Sequence, residues 1–312
     1  MTKVLVLGGS GMLGSMVVDL LSRNGTFDVT ATVRDAALAA QFGAHLPGAA
    51  WRVFRFDGHR PSLDMLDGHP WVVNAIGITK PLIRDDHPAE IERAIDVNAR
   101  LPYLIGHRAR QSGARVLQIA TDCVYSGRQG GYRETDLHDA LDVYGKTKSL
   151  GESFQDNVHH LRCSIIGPEP KDFKFLIEWF RRQAPAATVK GFVNHRWNGV
   201  TTLHFARLCA GIIARGLMLP HLQHVVPSGS MTKASMLHAF AAAFRRPDIQ
   251  IEDVEAGTIV DRTLDTITPD VNRRLWEAAG YPDPPSVAEM IGELGAFDYR
   301  GAGGPASQAV HE

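Results

Sequence analysis

The chain begins with a short apolar run that leads directly into a cluster of glycines. Residues 4–7 (Val-Leu-Val-Leu) do not alternate between polar and apolar, which predicts a strand buried on both faces of a parallel sheet. The turn Gly8-Gly-Ser-Gly-Met-Leu-Gly14 follows, and residues 15–23 have the spacing of an amphipathic helix. A strand, a glycine turn and a helix in this order are typical of a dinucleotide site, because bare backbone and a helix N-terminus favour a pyrophosphate. A turn that only packs the helix on the strand is the alternative.

The ends of the next strands are where the rest of a dinucleotide would be recognised. Phe27–Val33 is predicted as the second strand, and Arg34 after it favours the 2′-phosphate of NADP(H). Asp35, or a shifted register, favours NAD(H), so NADP(H) is preferred and NAD(H) stays open. Asp57, after the third strand (residues 51–56), either accepts a hydrogen bond from an adenine amino group or caps a turn. The predicted cofactor contacts are Gly8, Ser10, Gly11, Met12, Leu13, Gly14, Arg34, Asp57, Asn74, Ala75, Ile76 and Lys148.

Strands and helices alternate about every 25 residues through the first 120, as in βαβ units. The pattern predicts an α/β fold with a Rossmann-type doubly wound parallel sheet over residues 1–166. A break at Gly167-Pro-Glu-Pro170 is the expected boundary of a smaller α/β substrate domain, residues 167–300, whose strands or helices could rejoin the first domain. Residues 194–199 are expected to form a polar loop, and residues 301–312 a flexible tail.

A compact proton-transfer group is predicted in the middle of the chain. The strand Arg115–Ala120 ends at Thr121, and Tyr144 and Lys148 follow four residues apart on one face of a predicted helix. A lysine ammonium near a phenol stabilises the phenolate and lowers its pKa, while a threonine hydroxyl can hold a substrate carbonyl oxygen. Together with a hydride donor, these groups could reduce a ketone. The alternative is an ordinary helix with a surface tyrosine and lysine.

The composition excludes several other classes of function. A net charge of -1 with no basic block argues against nucleic acid or a membrane surface as the main partner. The three scattered cysteines fit reduced thiols, and the N-terminus has no secretory pattern, so we expect a cytoplasmic protein. No apolar run is long enough to cross a membrane. The histidine pairs lack the neighbours of a recognisable metal site, and no metal is expected.

At this point the sequence resembles a known family. The motifs are Thr121-Asp122-Cys-Val-Tyr-Ser-Gly127, Val143-Tyr144-Gly-Lys-Thr-Lys148 and Leu161-Arg-Cys-Ser-Ile-Ile-Gly167, after the glycine turn. They are similar to those of the extended short-chain dehydrogenase/reductases, in the dTDP-4-dehydrorhamnose reductase branch. The resemblance implies that Thr121, Tyr144 and Lys148 are catalytic. It also implies that Asn198 lies in a substrate-side segment and that Arg262 faces a diphosphate.

Two departures from the related pattern bear on the substrate and the reaction. Related sugar-nucleotide dehydratases carry Thr-Asp-Glu, whereas Cys123 stands third here, so elimination of water is not expected. Residues 192–198 also differ from the commonest version of their loop, so the substrate need not be the rhamnose precursor. Asp122, Cys123, His195 and Arg196 are further substrate-side candidates, with loop surface residues as the alternative for the last two.

The predicted activity is therefore NADPH-preferring reduction of a keto group on a nucleotide-activated deoxysugar, in deoxysugar or surface-polysaccharide synthesis. A sugar-nucleotide epimerase on the same scaffold is one alternative, and a non-catalytic NADP-binding regulatory subunit is another. The expected partner is a nucleotide-sugar, and a homodimer is left open.

Overall fold

The computed structural model describes residues 1–23, 25–59 and 61–301. The strands are β1 (Thr2–Leu7), β2 (Phe27–Val33), β3 (Ala49–Val53), β4 (Trp71–Asn74), β5 (Arg115–Ala120), β6 (Val158–Arg162), β7 (Ile165–Ile166), β8 (Thr188–Phe192), β9 (His195–Trp197), β10 (Val200–Thr201), β11 (Leu222–His224), β12 (Met231–Thr232), β13 (Gln250–Val254) and β14 (Val260–Asp261). The α-helices are α1 (Met12–Ser22), α2 (Ala36–His45), α3 (Pro88–Ala94), α4 (Leu101–Ser112), α5 (Val143–Leu150), α6 (Leu176–Arg181), α7 (Thr202–Arg215), α8 (Lys233–Ala243), α9 (Pro269–Ala278) and α10 (Val287–Ala296).

Seven of these strands form one parallel sheet in the order β11-β6-β5-β4-β1-β2-β3. The order reverses between β1 and β4, so the loops after these two strands diverge and leave a crevice at the carboxyl edge of the sheet. Ligands of doubly wound sheets bind at such a crevice. The predicted Rossmann-type α/β fold is confirmed.

The unbroken apolar run of β1 is explained by burial on both faces. Side chains alternate across a strand, so Val4 and Val6 join one core with α1 and α7, whereas Leu5 and Leu7 join another with α4. All four side chains are fully buried. A strand with helices on both faces has no polar side to present, which is why the alternation of an exposed strand is missing.

The helical region before β5 is not one continuous α-helix. A π-helical segment, Ile95–Arg100, separates α3 from α4. Within it the Asn98 side chain donates to the carbonyl of Ile78 (2.9 Å) and accepts from its N–H (2.8 Å). Such wide turns are rare and commonly occur near functional sites. Asn98 thus binds the segment that follows β4.

The part of the chain beyond residue 166 also differs from the expectation. Residues 194–199 do not form a loop: β9 is the central strand of a small sheet, β12-β9-β14. Helix α6 starts only at Leu176, after Phe173, which has a positive φ of 49°. The sequence patterns also missed α2 and α10.

Strand β11 returns to the main sheet and pairs with β6, as the prediction allowed. The boundary at residue 167 stays a prediction, and the expected tail lies outside the described residues except for Gly301. Within residues 1–23, 25–59 and 61–301, none of the helices has the length and apolar character needed to cross a membrane.

Candidate functional site

Thr121, Tyr144 and Lys148 converge at the carboxyl edge of β5. Thr121 is the first residue after the strand, and its Oγ1 accepts a hydrogen bond from the Cys123 N–H (3.2 Å), which caps a single 3-10 turn. Helix α5 begins after Asp142, whose side chain accepts from the Gly145 N–H (2.8 Å). This start directs Tyr144 towards Thr121, and the threonine hydroxyl lies close enough to influence the phenol.

Tyr144 is half-buried and packs against an apolar cluster of Ile78 and Ile83. Burial raises the pKa of Tyr144 above its ordinary value, and the neighbouring Cys123 raises it further, while the nearby Thr121 hydroxyl lowers it. The expectation of a lowered tyrosine pKa is therefore wrong for the protein without ligands, because desolvation outweighs the opposing effects. The side chain is a neutral phenol, which is the form that donates a proton.

Lys148 is buried beside the same strand. Its Nζ donates to the main-chain carbonyl of Ile119 at 3.0 Å. Burial lowers the pKa of the ammonium group to about 8, and the carboxylate of Glu152 partly offsets this. Lys148 is thus held at the end of β5, and its ammonium group loses its proton in mildly alkaline solution. Lys146, on the same helix, is exposed.

The glycine turn has the geometry that a bound pyrophosphate needs. Gly8 has a φ of 83°, a backbone conformation that side chains disfavour. A Cβ atom on Gly14 would clash with the carbonyl oxygen of Gly8, so the first turn of α1 can approach the strand only with glycine there. Gly11 caps α1 without a side chain, which leaves the N–H groups of the first helical turn open to an anion. These residues fit a dinucleotide.

The other predicted cofactor residues fall into two groups. Ser10 lies in the turn, Met12 and Leu13 begin α1, and the backbone of Ala75 and Ile76 lies against Gly8. Arg34 is exposed at the end of β2. Two residues are otherwise engaged: Asp57 accepts from the His59 N–H (3.3 Å), and Asn74 binds Gln118 (2.7 Å) and the Ile76 N–H (3.1 Å). Asp57 thus caps a turn, which was the alternative left open for it.

Three of the substrate-side candidates lie together near Thr121. Burial raises the pKa of Asp122, while the positive charge of Arg262 opposes this shift. Burial also raises the pKa of Cys123 to about 12, so this thiol is neutral at physiological pH. Arg262 donates to the carbonyl oxygens of Tyr125 (3.1 Å) and Ser126 (3.4 Å).

The remaining three candidates are held by structural contacts. Both amide atoms of Asn198 bind the backbone of Leu264, at 2.7 and 2.8 Å. His195 Nε2 donates to the carbonyl of Thr258 at 3.0 Å. Arg196 is exposed and donates to Ser230 Oγ (2.7 Å). None of these contacts brings the three side chains to Thr121 or Tyr144.

Lys233 is a residue that the sequence patterns missed. It begins α8, directly after β12, and its Nζ lies 5.7 Å from the centre of the Trp197 ring. Burial lowers the pKa of Lys233, and the negative charge of Asp122 opposes the shift. Lys233 and Arg262 therefore place two cations beside Asp122. The only local signal was the N-cap Thr232, which marks a helix start and not a site.

A cavity of about 510 Å³ opens beside this cluster. Arg128 and Arg262 contribute cations to its wall, and Asp85, Asp139 and Asp142 contribute carboxylates. Its size lies within the range of small-ligand sites. The cavity reaches the loop of Tyr125, so a ligand held there would approach the end of β5 that carries Thr121.

Several known proteins resemble this chain. A dTDP-4-dehydrorhamnose reductase of Aggregatibacter actinomycetemcomitans is 30% identical over 49% of this chain and 46% of its own length. The chain thus spans about half the length of such curated relatives. Methionine adenosyltransferase 2 subunit beta of Bos taurus is 23% identical over 83% of this chain and 77% of its own length.

Two solved structures share the fold of this chain. A dTDP-4-dehydrorhamnose reductase of Bacillus anthracis in complex with NADP has a TM-score of 0.68 at 16% identity, covering 94% of this chain and 99% of that one. A UDP-glucuronic acid 4-epimerase of Bacillus cereus, in complex with UDP-glucuronic acid and NAD, has a TM-score of 0.72 at 15% identity, covering 95% and 98%. Residues 1–262 match the model of the family described as RmlD substrate binding domain. The chain belongs to that family.

Proposed function

We propose that the chain is a reductase of a keto group on a nucleotide-activated deoxysugar, with NADPH as the hydride donor. The observation that carries the proposal is the placement of Thr121, Tyr144 and Lys148 together at the end of β5, at the sheet edge that also carries the glycine turn. A proton donor and a dinucleotide turn at one crevice are what carbonyl reduction requires.

Each side chain has a separate role in the proposed reduction. The Thr121 hydroxyl holds the substrate carbonyl oxygen next to the phenol of Tyr144. The glycine turn would hold NADPH, which would supply the hydride for the carbonyl carbon. Tyr144 donates its proton to the oxygen as the alcohol forms, and solvent then returns a proton to the tyrosine. Lys148 as an ammonium group stabilises the phenolate that the transfer leaves behind.

The preference for NADP(H) is supported by how Asp35 is used. One oxygen of Asp35 accepts from the Leu38 N–H (2.9 Å) and caps α2. A capping carboxylate is less available for the ribose hydroxyls that it would bind in an NAD site. Arg34 is exposed beside it and can form charge-assisted hydrogen bonds to a 2′-phosphate.

The choice of reduction over elimination is supported by Cys123. Elimination of water needs an acid or base at this position, and burial raises the pKa of the Cys123 thiol to about 12. A neutral thiol with that pKa is a poor proton acceptor near neutral pH. Position 123 therefore lacks the proton acceptor that elimination needs, whereas reduction needs only the proton of Tyr144.

The direct test is NADPH consumption with a panel of 4-keto sugar nucleotides carrying dTDP, GDP or UDP. We expect the absorbance of NADPH to fall with at least one of them, and NADH to be used less well. An epimerase would convert its substrate without net consumption of NADPH, and that result would contradict the proposal.

A subunit without catalytic activity is the second candidate. It is favoured by the match to methionine adenosyltransferase 2 subunit beta, which extends over 83% of this chain rather than half. Such a subunit would bind NADPH and leave every keto sugar of the panel unreduced. Tight NADPH binding without turnover would therefore decide for this candidate.

The pH dependence of the reaction gives a further prediction. Because burial lowers the pKa of Lys148 to about 8, its ammonium group is present below that pH and lost above it. We expect kcat/KM, which reports the free enzyme, to fall as pH rises through about 8. Lys148→Arg keeps a charge at high pH and should remove this fall from whatever activity it retains. A profile of the wild type that stays flat across about pH 7 to about 9 would contradict the prediction.

A further inference from the structure

We propose that Lys171 is the second cation, beside Arg34, that binds the 2′-phosphate of NADPH and so determines the choice of cofactor. The inference rests on the proposed function in one respect, namely that the glycine turn binds a dinucleotide. It adds to the cofactor site a residue from the part of the chain that follows residue 167. Sequence patterns gave no role to Lys171.

The segment that carries Lys171 has a defined path over the glycine turn. We call residues 167–175, between β7 and α6, the 167–175 loop. Glu169 is buried and accepts from the Phe175 N–H at 2.5 Å, which closes the loop on itself. Asp172 and Phe173 have φ values of 68° and 49°, and the Phe173 ring lies 3.5 Å from the Arg182 guanidinium. These contacts fix the loop instead of leaving it to extend into solvent.

Lys171 joins the 167–175 loop to the glycine turn. Its Nζ donates to Ser10 Oγ at 3.2 Å, across 161 residues of sequence. Lys171 is half-buried, and Ser10 is only 5% exposed. Within the part of the chain that the structure describes, no carboxylate forms an ion pair with Lys171. The hydrogen-bond partner of Lys171 is thus the neutral hydroxyl of Ser10.

The second cation of the pair is Arg34. Burial lowers the pKa of Lys171, and the charge of Arg34 lowers it further, so the two cations lie within electrostatic range. The carboxylates of Asp172 and Asp35 oppose the shift, but that of Asp35 already caps α2. Two like charges held near each other repel, and an anion bound between them relieves the repulsion. A phosphate monoester carries nearly two negative charges and suits such a pair.

The position of the pair selects the 2′-phosphate over the pyrophosphate. In this fold the pyrophosphate meets the N–H groups at the start of α1, whereas the adenosine ribose is recognised at the end of β2, where Arg34 lies. Lys171 contacts Ser10 of the glycine turn and lies within electrostatic range of Arg34. A cation there distinguishes NADPH from NADH, since only the former carries the extra phosphate.

The test measures binding to the protein without substrate, using NADPH, NADH, adenosine 2′,5′-bisphosphate and adenosine 5′-monophosphate. We expect Lys171→Gln to weaken NADPH and the bisphosphate by about tenfold or more and to leave NADH and the monophosphate nearly unchanged. Lys171→Arg should restore most of the preference. Lys174→Gln is the matched control: it removes the same charge from an exposed side chain of the same loop and should change nothing.

Each other outcome overturns a different statement. Equal weakening of NADPH and NADH by Lys171→Gln would place the lysine at the pyrophosphate and overturn the inference, while sugar reduction by the wild type would still stand. Selective loss of NADPH binding in a protein that reduces no keto sugar would support the inference and refute the reductase. A wild type that binds no dinucleotide would overturn both.

Discussion

Replacing Tyr144 by phenylalanine is expected to lower kcat for keto-sugar reduction by about 10²- to 10⁴-fold, the contribution of a positioned general acid. The phenylalanine ring still packs against Ile78 and Ile83, so the fold and NADPH binding should be preserved. What is removed is the hydroxyl that meets Thr121 and supplies the proton. Single-turnover oxidation of bound NADPH, followed by absorbance, measures the loss without interference from product release.

Tyr103→Phe is the matched control for this experiment. Tyr103 lies on α4 and is 39% exposed, and its hydroxyl has no contact with Thr121 or Lys148 among the described hydrogen bonds. The control should keep the wild-type rate. If Tyr144→Phe also turned over at the wild-type rate, Tyr144 would not be the proton donor, and the enzymatic proposal would fail with it.

Of the substitutions considered, Arg162→Met is expected to lower the free energy of unfolding the most. Arg162 is fully buried at the end of β6 and donates to Tyr125 Oη (2.7 Å) and Glu152 Oε2 (2.5 Å). It also donates to the Nε2 atoms of His138 and His224, both at 2.8 Å. Burial lowers the pKa of His224 to about 4, so this imidazole is neutral and can accept. Methionine would leave the Glu152 carboxylate without its cation.

The expected loss in the free energy of unfolding is about 3–5 kcal/mol, as when one partner of a buried ion pair is removed. Urea denaturation measures it. Adding Glu152→Gln to Arg162→Met should recover part of the loss, because the unpaired carboxylate is then gone. Arg110→Met is the control, since its 3.5 Å pair with Asp156 is exposed and worth at most about 1 kcal/mol. Equal losses for the two single variants would contradict the prediction.

The sequence predicted the elements whose signals are local. Strand β5 was predicted with the bounds it has, and the strand, glycine turn and helix at the start were recognised because the turn needs glycines at fixed positions. Tyr144 and Lys148 share a face because a helix puts residues four apart on one side. The roles of these residues stay predictions.

What the sequence could not predict depends on distant partners. Two of the three residues of β9 are polar, and the strand forms only because it pairs with β12 and β14. Lys171 and Lys233 reach the site from loops and helix starts with no motif of their own. Asn198 and Asp57 were of the right residue type for ligand contacts, but a polar side chain that binds backbone looks the same in sequence as one that binds a ligand.

The return of β11 to the main sheet has a consequence for motion. The Val225 N–H donates to the carbonyl of Arg162 (2.9 Å), and α7 shares one apolar core with α1. A rigid swing of the chain beyond residue 167 would have to break this edge pairing and expose that core to water. Cofactor exchange in this protein is therefore expected without a rigid swing of that part of the chain. By the same reasoning, we expect residues on both sides of position 167 to unfold together.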